Sequence, residues 1–194
     1  MARNPERRTA LVDAAIDVLA HEGARGLTFR AVDARAGVPL GTSSNYFTNR
    51  DDLFMQAGAR INHRMTPDAA RVEQAMLPAP SRELVTSLMH WLVRRMADDR
   101  VGYLAMLELR LEATRRPALR TRLTETVRAD FDQNGALYRE AELPGDADTF
   151  LVLYLAMTGL LLEHLTLPDV LSDTALDHLV DIVVTSIVPP QPWS

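Results

Sequence analysis

Helical periodicity constrains this chain more than any other feature. From Glu6 to His21 the apolar residues Ala10, Leu11, Ala14, Ala15, Val18 and Leu19 recur at steps of three and four, which is one face of a helix. The same period returns through most of the 194 residues, and no stretch shows the strict alternation of a half-buried strand. Gly23 suits a C-cap, and Gly26 supports the turn after it. Thr28 is a good N-cap for Phe29 to Ala36, which Gly37 closes, and Pro39 suits the first turn of another short helix to about Phe47. Thr48 or Asn49 caps a longer helix that opens Arg50-Asp51-Asp52 and runs to about Arg64, or past a kink at Pro67 to Met76. Beyond the break at Leu77-Pro78-Ala79-Pro80, periodic segments cover residues 81–98, 101–114, 117–141, 146–165 and 173–188. The expected fold is all-α, with about nine helices.

Several function classes fall away on composition. An apolar fraction of 47% is that of a globular chain, and the absence of Cys removes disulfides, thiolate nucleophiles, zinc fingers and iron–sulfur sites. Asp13 and Asp17 interrupt the first apolar run, so it is not expected to be a signal peptide. The stretch from Phe150 to Leu162 spans 13 residues, short for a membrane crossing, so no membrane role and a cytoplasmic location are expected. The five His show no H-E-x-x-H spacing, and phosphate-binding glycine loops are absent. His164 beside Glu163 and His178 beside Asp177 point to different helix faces, so neither makes a dyad by itself. No enzyme, metal or cofactor is expected.

Charge is distributed unevenly. Residues 1–64 hold nine Arg against seven acids, whereas the rest of the chain holds 12 Arg against 19 acids, within a net of −5. That asymmetry suits a head that meets an anionic partner and a body that does not. The head contains TFRAVDARAGVPLGTSSNYFTNRDDLF over residues 28–54, two short helical segments joined at Ala36-Gly37-Val38, the layout of a helix-turn-helix. Phe29, Val32, Ala36, Val38 and Phe47 can share a core with Leu11, Ala15, Ile16 and Leu19. Thr42, Ser43, Ser44, Asn45 and Tyr46 then form a slender polar surface, which is what a major groove admits.

Residues 7–54 resemble the N-terminal domain of TetR-type transcriptional regulators. The likeness rests on an ordered series: RRTALVDAAIDVLAHEG, Gly26-Leu27-Thr28, Ala36-Gly37-Val38, Gly41-Thr42, Tyr46-Phe47 and Asn49-Arg50 before Leu53-Phe54. LRLEATRRPALR over residues 109–120 is similar to a subgroup of that family. The chain departs from the common pattern at Ser44, often Tyr, at Ser43, often a bulky aliphatic residue, and at Leu40, often basic. The resemblance implies a DNA-binding domain at 1–48 and a ligand-binding and dimerisation domain at 49–194, and a repressor released from its operator by a small-molecule effector. It assigns Thr28, Arg30, Thr42, Ser43, Ser44, Asn45 and Tyr46 to double-stranded DNA, with Arg50 on phosphate at a helix start. Asn45 suits adenine, and Arg30 suits guanine or phosphate. Arg3, Arg7 and Arg8 can add backbone contacts.

In the body, Trp91, Tyr103, Met106, Phe131, Tyr154 and Met157 are the candidates to line an effector cavity, together with Phe150 and the polar groups His90, Glu108 and His164. The last two helices carry apolar residues on more than one face, which suits a homodimer interface where Gly159 allows close approach. The rivals are a helical enzyme and a helical interaction module without DNA. Binding to sheared DNA with a marked salt dependence separates the regulator from both.

Overall fold

A computed structural model describes residues 4–190. Those residues form nine α-helices and two short 3-10 turns, with no strand among them. In chain order the helices are α1 (Pro5–Gly26), α2 (Phe29–Arg35), α3 (Arg50–Met65), α4 (Ala69–Ala75), α5 (Arg82–Asp98), α6 (Arg100–Ala113), α7 (Pro117–Glu140), α8 (Ala147–Thr166) and α9 (Leu176–Ile187). The all-α expectation holds, and the helix count agrees with it. The chain packs as two units, Met1–Thr66 with Asp99–Val127, and Pro67–Asp98 with Arg128–Ser194.

The first unit is built around α1, which packs on α2, α3 and α6. Leu11, Ile16 and Leu19 of α1 are fully buried with Val32, Leu53, Phe54, Ile61 and Leu109, and Phe47 joins them. Asn4 starts α1 by accepting the amide of Glu6 at 2.9 Å, and α1 breaks at Gly23, whose φ of 70° is open to a residue without Cβ. Thr28 Oγ1 accepts the amide of Ala31 at 3.1 Å and Asn49 Oδ1 that of Asp52 at 2.9 Å, so both expected caps form, each typically worth about 1 kcal/mol. Arg60 grips Asp13 through Nε and Nη2 at 2.9 and 3.1 Å, which ties α3 to α1.

Two expected helices take other forms. The segment from Pro39 to Phe47 is not a regular helix: it is a run of turns ending in a 3-10 turn at Ser43–Asn45. The helix starting at Arg50 does not continue through Pro67, because Thr66 is extended (φ −75°, ψ 124°) as a residue before proline prefers, and Asp68 caps α4 afresh.

In the second unit α8 packs on α5 and α9. Leu153, Met157, Leu161 and Leu165 of α8 are buried, as are Val85 and Val93 of α5 and Val180 and Val184 of α9. Phe131, Phe150, Tyr154 and Tyr138 form an aromatic group with ring centroids 5.0–5.5 Å apart. Tyr138 Oη donates to the Pro144 carbonyl at 2.5 Å, and burial pushes its phenol up to about 12. The apolar run expected to end after 13 residues is part of a helix of 20 residues, and by length and composition α8 is long and apolar enough to cross a membrane. Five of its residues are nonetheless buried within its own unit.

Candidate nucleic-acid interface

The recognition segment is organised by one side chain. Asp33 lies on α2 with Phe29 and Val32, and Ala36 follows at the C-cap, four positions at helical spacing that face inward, and its carboxylate is fully buried. Its Oδ2 accepts the amide of Gly41 at 2.6 Å, and its Oδ1 accepts both the amide and the hydroxyl of Ser43 at 2.7 and 2.5 Å. A buried carboxylate is tolerated only when donors surround it, and here three donors come from the recognition segment itself. Gly41 meets Asp33 with φ at 90°, a conformation that a side chain would strain. The Val38 amide adds a 3.0 Å bond to the Asp33 carbonyl, so the turn is fastened to α2 by backbone and side chain alike.

Clamped in this way, the segment turns most of the expected residues outward. Thr28, Arg30, Ser44 and Asn45 are exposed, and Thr42 and Tyr46 are half-buried, with Tyr46 packed against the head core. Ser44 Oγ and Asn45 Nδ2 fold back onto the Gly41 carbonyl at 2.7 and 3.2 Å, and Thr42 Oγ1 donates to the Pro39 carbonyl at 2.5 Å. These local bonds hold the hydroxyls and the amide in place on a rigid turn. Leu40 stands at its tip, 67% exposed.

Two expected contacts are corrected. Ser43 is not on the outward surface: it is fully buried, and both of its donors are spent on Asp33. The common aliphatic residue at this position already marks it as inward. Arg50 does not project from the start of α3. Its Nη2 donates to the Ala24 carbonyl, its guanidinium lies 5.1 Å from the Phe54 ring centroid, and its Nε is buried. It fastens α3 to the end of α1. Among the other basic residues, Arg7 is exposed, Arg8 lies over the Phe47 ring at 5.6 Å, and Arg3 is outside the described residues.

Beyond the apolar packing of α6 on α1 and α3, two polar contacts from α6 and the turn after it tie it to the head within the same unit. Glu108 Oε2 accepts the Ala24 amide at 3.0 Å, just past the Gly23 break. Arg116, after the end of α6, pairs with Asp51 of α3 and with Glu112 at 2.6 Å, and its guanidinium lies over the Phe54 ring. The Arg116 hydrogen bond is the main reason that the Glu112 carboxyl titrates below its ordinary range, against the opposing effect of burial.

The residues expected to line a cavity divide between the units. Phe131 and Tyr154 meet edge to face in the second unit, where Met157 is buried and Trp91 lies under the Arg95 guanidinium. Tyr103 and Met106 belong to the first unit, where Met106 packs on the core and burial raises the Tyr103 phenol. Of the polar candidates, His90 bridges Asp177 and Asp181 at 3.0 and 2.9 Å. Among the described residues no cluster of three or more His, Asp or Glu is placed to hold a metal.

Comparison with known proteins matches residues 11–57 to the model described as bacterial regulatory proteins, tetR family, and residues 80–189 to the tetracyclin repressor-like C-terminal domain. The chain is 26% identical over 183 residues, 91% of its length and 93% of the relative's, to the HTH-type nicotine-responsive transcriptional repressor HdnoR of Paenarthrobacter nicotinovorans. Among solved structures it is 33% identical to the multidrug binding protein EbrR complexed with imidazole, with a TM-score of 0.66 over 97% of this chain and 98% of that one. A TetR-family member from Streptomyces coelicolor is 32% identical, with a TM-score of 0.69 over 95% of this chain and 99% of its own. With both of its parts matched and the clamped recognition segment in place, this chain belongs to the TetR family of DNA-binding transcriptional regulators, which respond to small molecules.

Proposed function

We propose that the chain is a repressor that occupies its operator as a homodimer and leaves it when a small molecule binds the body. The observation that carries this reading is the Asp33 clamp, which leaves Thr42, Ser44 and Asn45 on an outward turn beside Arg30 of α2. Residues 1–48 are the DNA-reading part. Thr28, Thr42 and Tyr46 serve phosphates, and Arg30, Ser44 and Asn45 serve base edges. Residues 49–194 take the effector and the second copy, with Trp91, Phe131, Tyr154 and Met157 as apolar wall. Structures of EbrR complexed with ethidium, proflavin and malachite green support a body that accepts aromatic organic molecules. The nicotine-responsive relative supports repression. TetR-family regulators generally perform no catalysis, and the same role keeps the protein in the cytoplasm beside its DNA.

Dimerisation is assigned to α8 and α9. Leu151, Leu155 and Leu162 of α8 are exposed at helical spacing, with Gly159 between them and Ile182 exposed on α9. A two-fold pair places its recognition segments about one DNA turn apart, roughly 34–36 Å, or offset from it. The effector works by its differential affinity for two arrangements of α3 and α6, the helices that hold the head. Selection of bound sequences from a random duplex pool, followed by a metabolite screen for release, tests the reading. A consensus with two-fold symmetry and a steep salt dependence is expected. Failure to enrich any sequence at low salt overturns it.

A further inference from the structure

Among the described residues up to Thr48, Leu40 is the one large hydrophobic side chain left exposed, at 67%. It occupies the corner of a turn that is fastened on both sides of it. The Thr42 amide and hydroxyl both reach the Pro39 carbonyl, at 3.1 and 2.5 Å. Gly41 gives its amide to Asp33 and takes Ser44 Oγ and Asn45 Nδ2 on its carbonyl. Its φ of 90° is what a type II turn needs at its third residue. Leu40 is thus held between two residues that cannot swing it back toward the core. A Cβ built on Gly37 or Gly41 would meet no atom within 4 Å, so the turn's two glycines face open space. The segment from Val38 to Asn49 carries no charged side chain. The Ser44 hydroxyl proton is committed to the Gly41 carbonyl, which leaves its oxygen as an acceptor.

We infer that Leu40 is a specificity-determining residue whose side chain packs on the C5-methyl group of one thymine in each half of the operator. This rests on the reading of residues 1–48 as the DNA-reading part. In the major groove guanine offers two acceptors, cytosine an amino group, and adenine an acceptor beside an amino group, whereas thymine alone offers a methyl. An aliphatic tip laid on a polar edge strips water from groups that it cannot bond. Laid on a methyl, it removes from solvent the apolar area that Leu40 now exposes. A second copy or a bilayer needs a broad apolar face, and the other exposed residues of the turn are Pro39, Gly41, Ser44 and Asn45. The tip is one branched side chain between Pro39 and Gly41, slender enough for a groove about 12 Å wide. Ser44 and Asn45, fixed to the Gly41 carbonyl beside it, meet the polar edges of neighbouring base pairs.

The test uses the full chain and the duplex that it enriches from a random pool. Each thymine of that duplex is replaced in turn by deoxyuridine, which deletes the C5-methyl and keeps every hydrogen-bonding group. One thymine per half-site should respond to loss of its methyl, with binding weakened about fourfold for one half and about fifteenfold for both. Leu40→Ala should lose the response at that thymine alone and keep its melting temperature, because the side chain is exposed. Leu40→Met, which keeps an apolar tip, should retain it. Should Leu40→Ala bind too weakly to measure, Leu40→Gln, which keeps the length of the side chain and not its apolar end, takes its place. Equal binding of uracil and thymine duplexes at every position, or a response that survives in Leu40→Ala, overturns the proposal. A consensus without thymine overturns it too, as does a change of sedimentation mass in Leu40→Ala, which assigns the tip to contact between copies. Failure to enrich any sequence removes the DNA reading itself, whereas an enriched duplex indifferent to uracil removes only the thymine contact.

Discussion

Burying a carboxylate costs several kcal/mol unless donors replace its water, and Asp33 has three such donors, all from the segment it positions. Asp33→Asn is therefore a severe change despite its equal size, since an amide NH2 turned toward an N–H donor repels it. We expect a loss of about 2–3 kcal/mol in urea unfolding, together with loss of operator binding. A variant that binds DNA at full strength would show that the turn holds itself. Arg30 makes the opposite case: it is exposed, so Arg30→Ala should leave the melting temperature unchanged. Its operator affinity should fall by about 1–3 kcal/mol if the guanidinium reads a base, or its salt slope by about one unit if it meets phosphate. An unchanged binding isotherm over a salt series would remove Arg30 from the footprint. These residues differ in legibility. Asp33 could be found in the sequence, as a lone acid at positions shared with Phe29, Val32 and Ala36, and Ser43 could be found as a small residue where relatives place an aliphatic one. Nothing in the sequence turns Arg50 inward, because its partner is the backbone carbonyl of Ala24, 26 residues away.

At the scale of elements, helices with an apolar stripe and a strong cap were legible to within a residue or two: α2 behind Thr28, α3 behind Asn49 and α8 behind Asp146. The segment after Gly37 was not, since no run of local propensity describes a turn whose donors are satisfied by a carboxylate on the preceding helix. The pairing of α6 with the head was equally hidden, because it depends on contacts such as Glu108 with Ala24, 84 residues apart. That pairing gives a pH test. Hydrogen bonding to Arg116 holds the Glu112 carboxyl below its unfolded range. Its stabilising contribution is thus complete above the ordinary carboxylate pKa of about 4.3 and disappears as pH falls through the depressed value. Glu112→Gln should flatten the acid decline of the melting temperature below about pH 4.5 and lower stability at pH 7 by at most about 1 kcal/mol. Parallel acid profiles for the two proteins would show that the Arg116 pair contributes nothing to it.

For the whole molecule, the decisive element is α8, whose sequence is apolar nearly all round. One side is occupied inside its own unit by Leu153, Met157, Leu161 and Leu165. The other leaves Leu151, Val152, Leu155 and Leu162 exposed, and a Cβ built on Gly159 would meet no atom within 4 Å. Leucines left in water at helical spacing ask for a covering surface, and a bilayer or a second copy would satisfy them equally on composition. Regulation of DNA favours the copy, because an operator of two half-sites needs two heads held at fixed spacing. Leu155, 59% exposed, lies at the middle of this stripe, so Leu155→Arg places a charge where two copies would meet. The expected outcome is a folded chain of unchanged helicity whose mass in sedimentation falls to that of one 21.6 kDa subunit. Operator affinity should drop on the order of a hundredfold, since each head then binds its half-site alone. Partition of the wild-type chain into lipid vesicles, abolished by the same substitution, would instead assign the stripe to a membrane. A variant that remains dimeric at micromolar concentration would place the interface elsewhere.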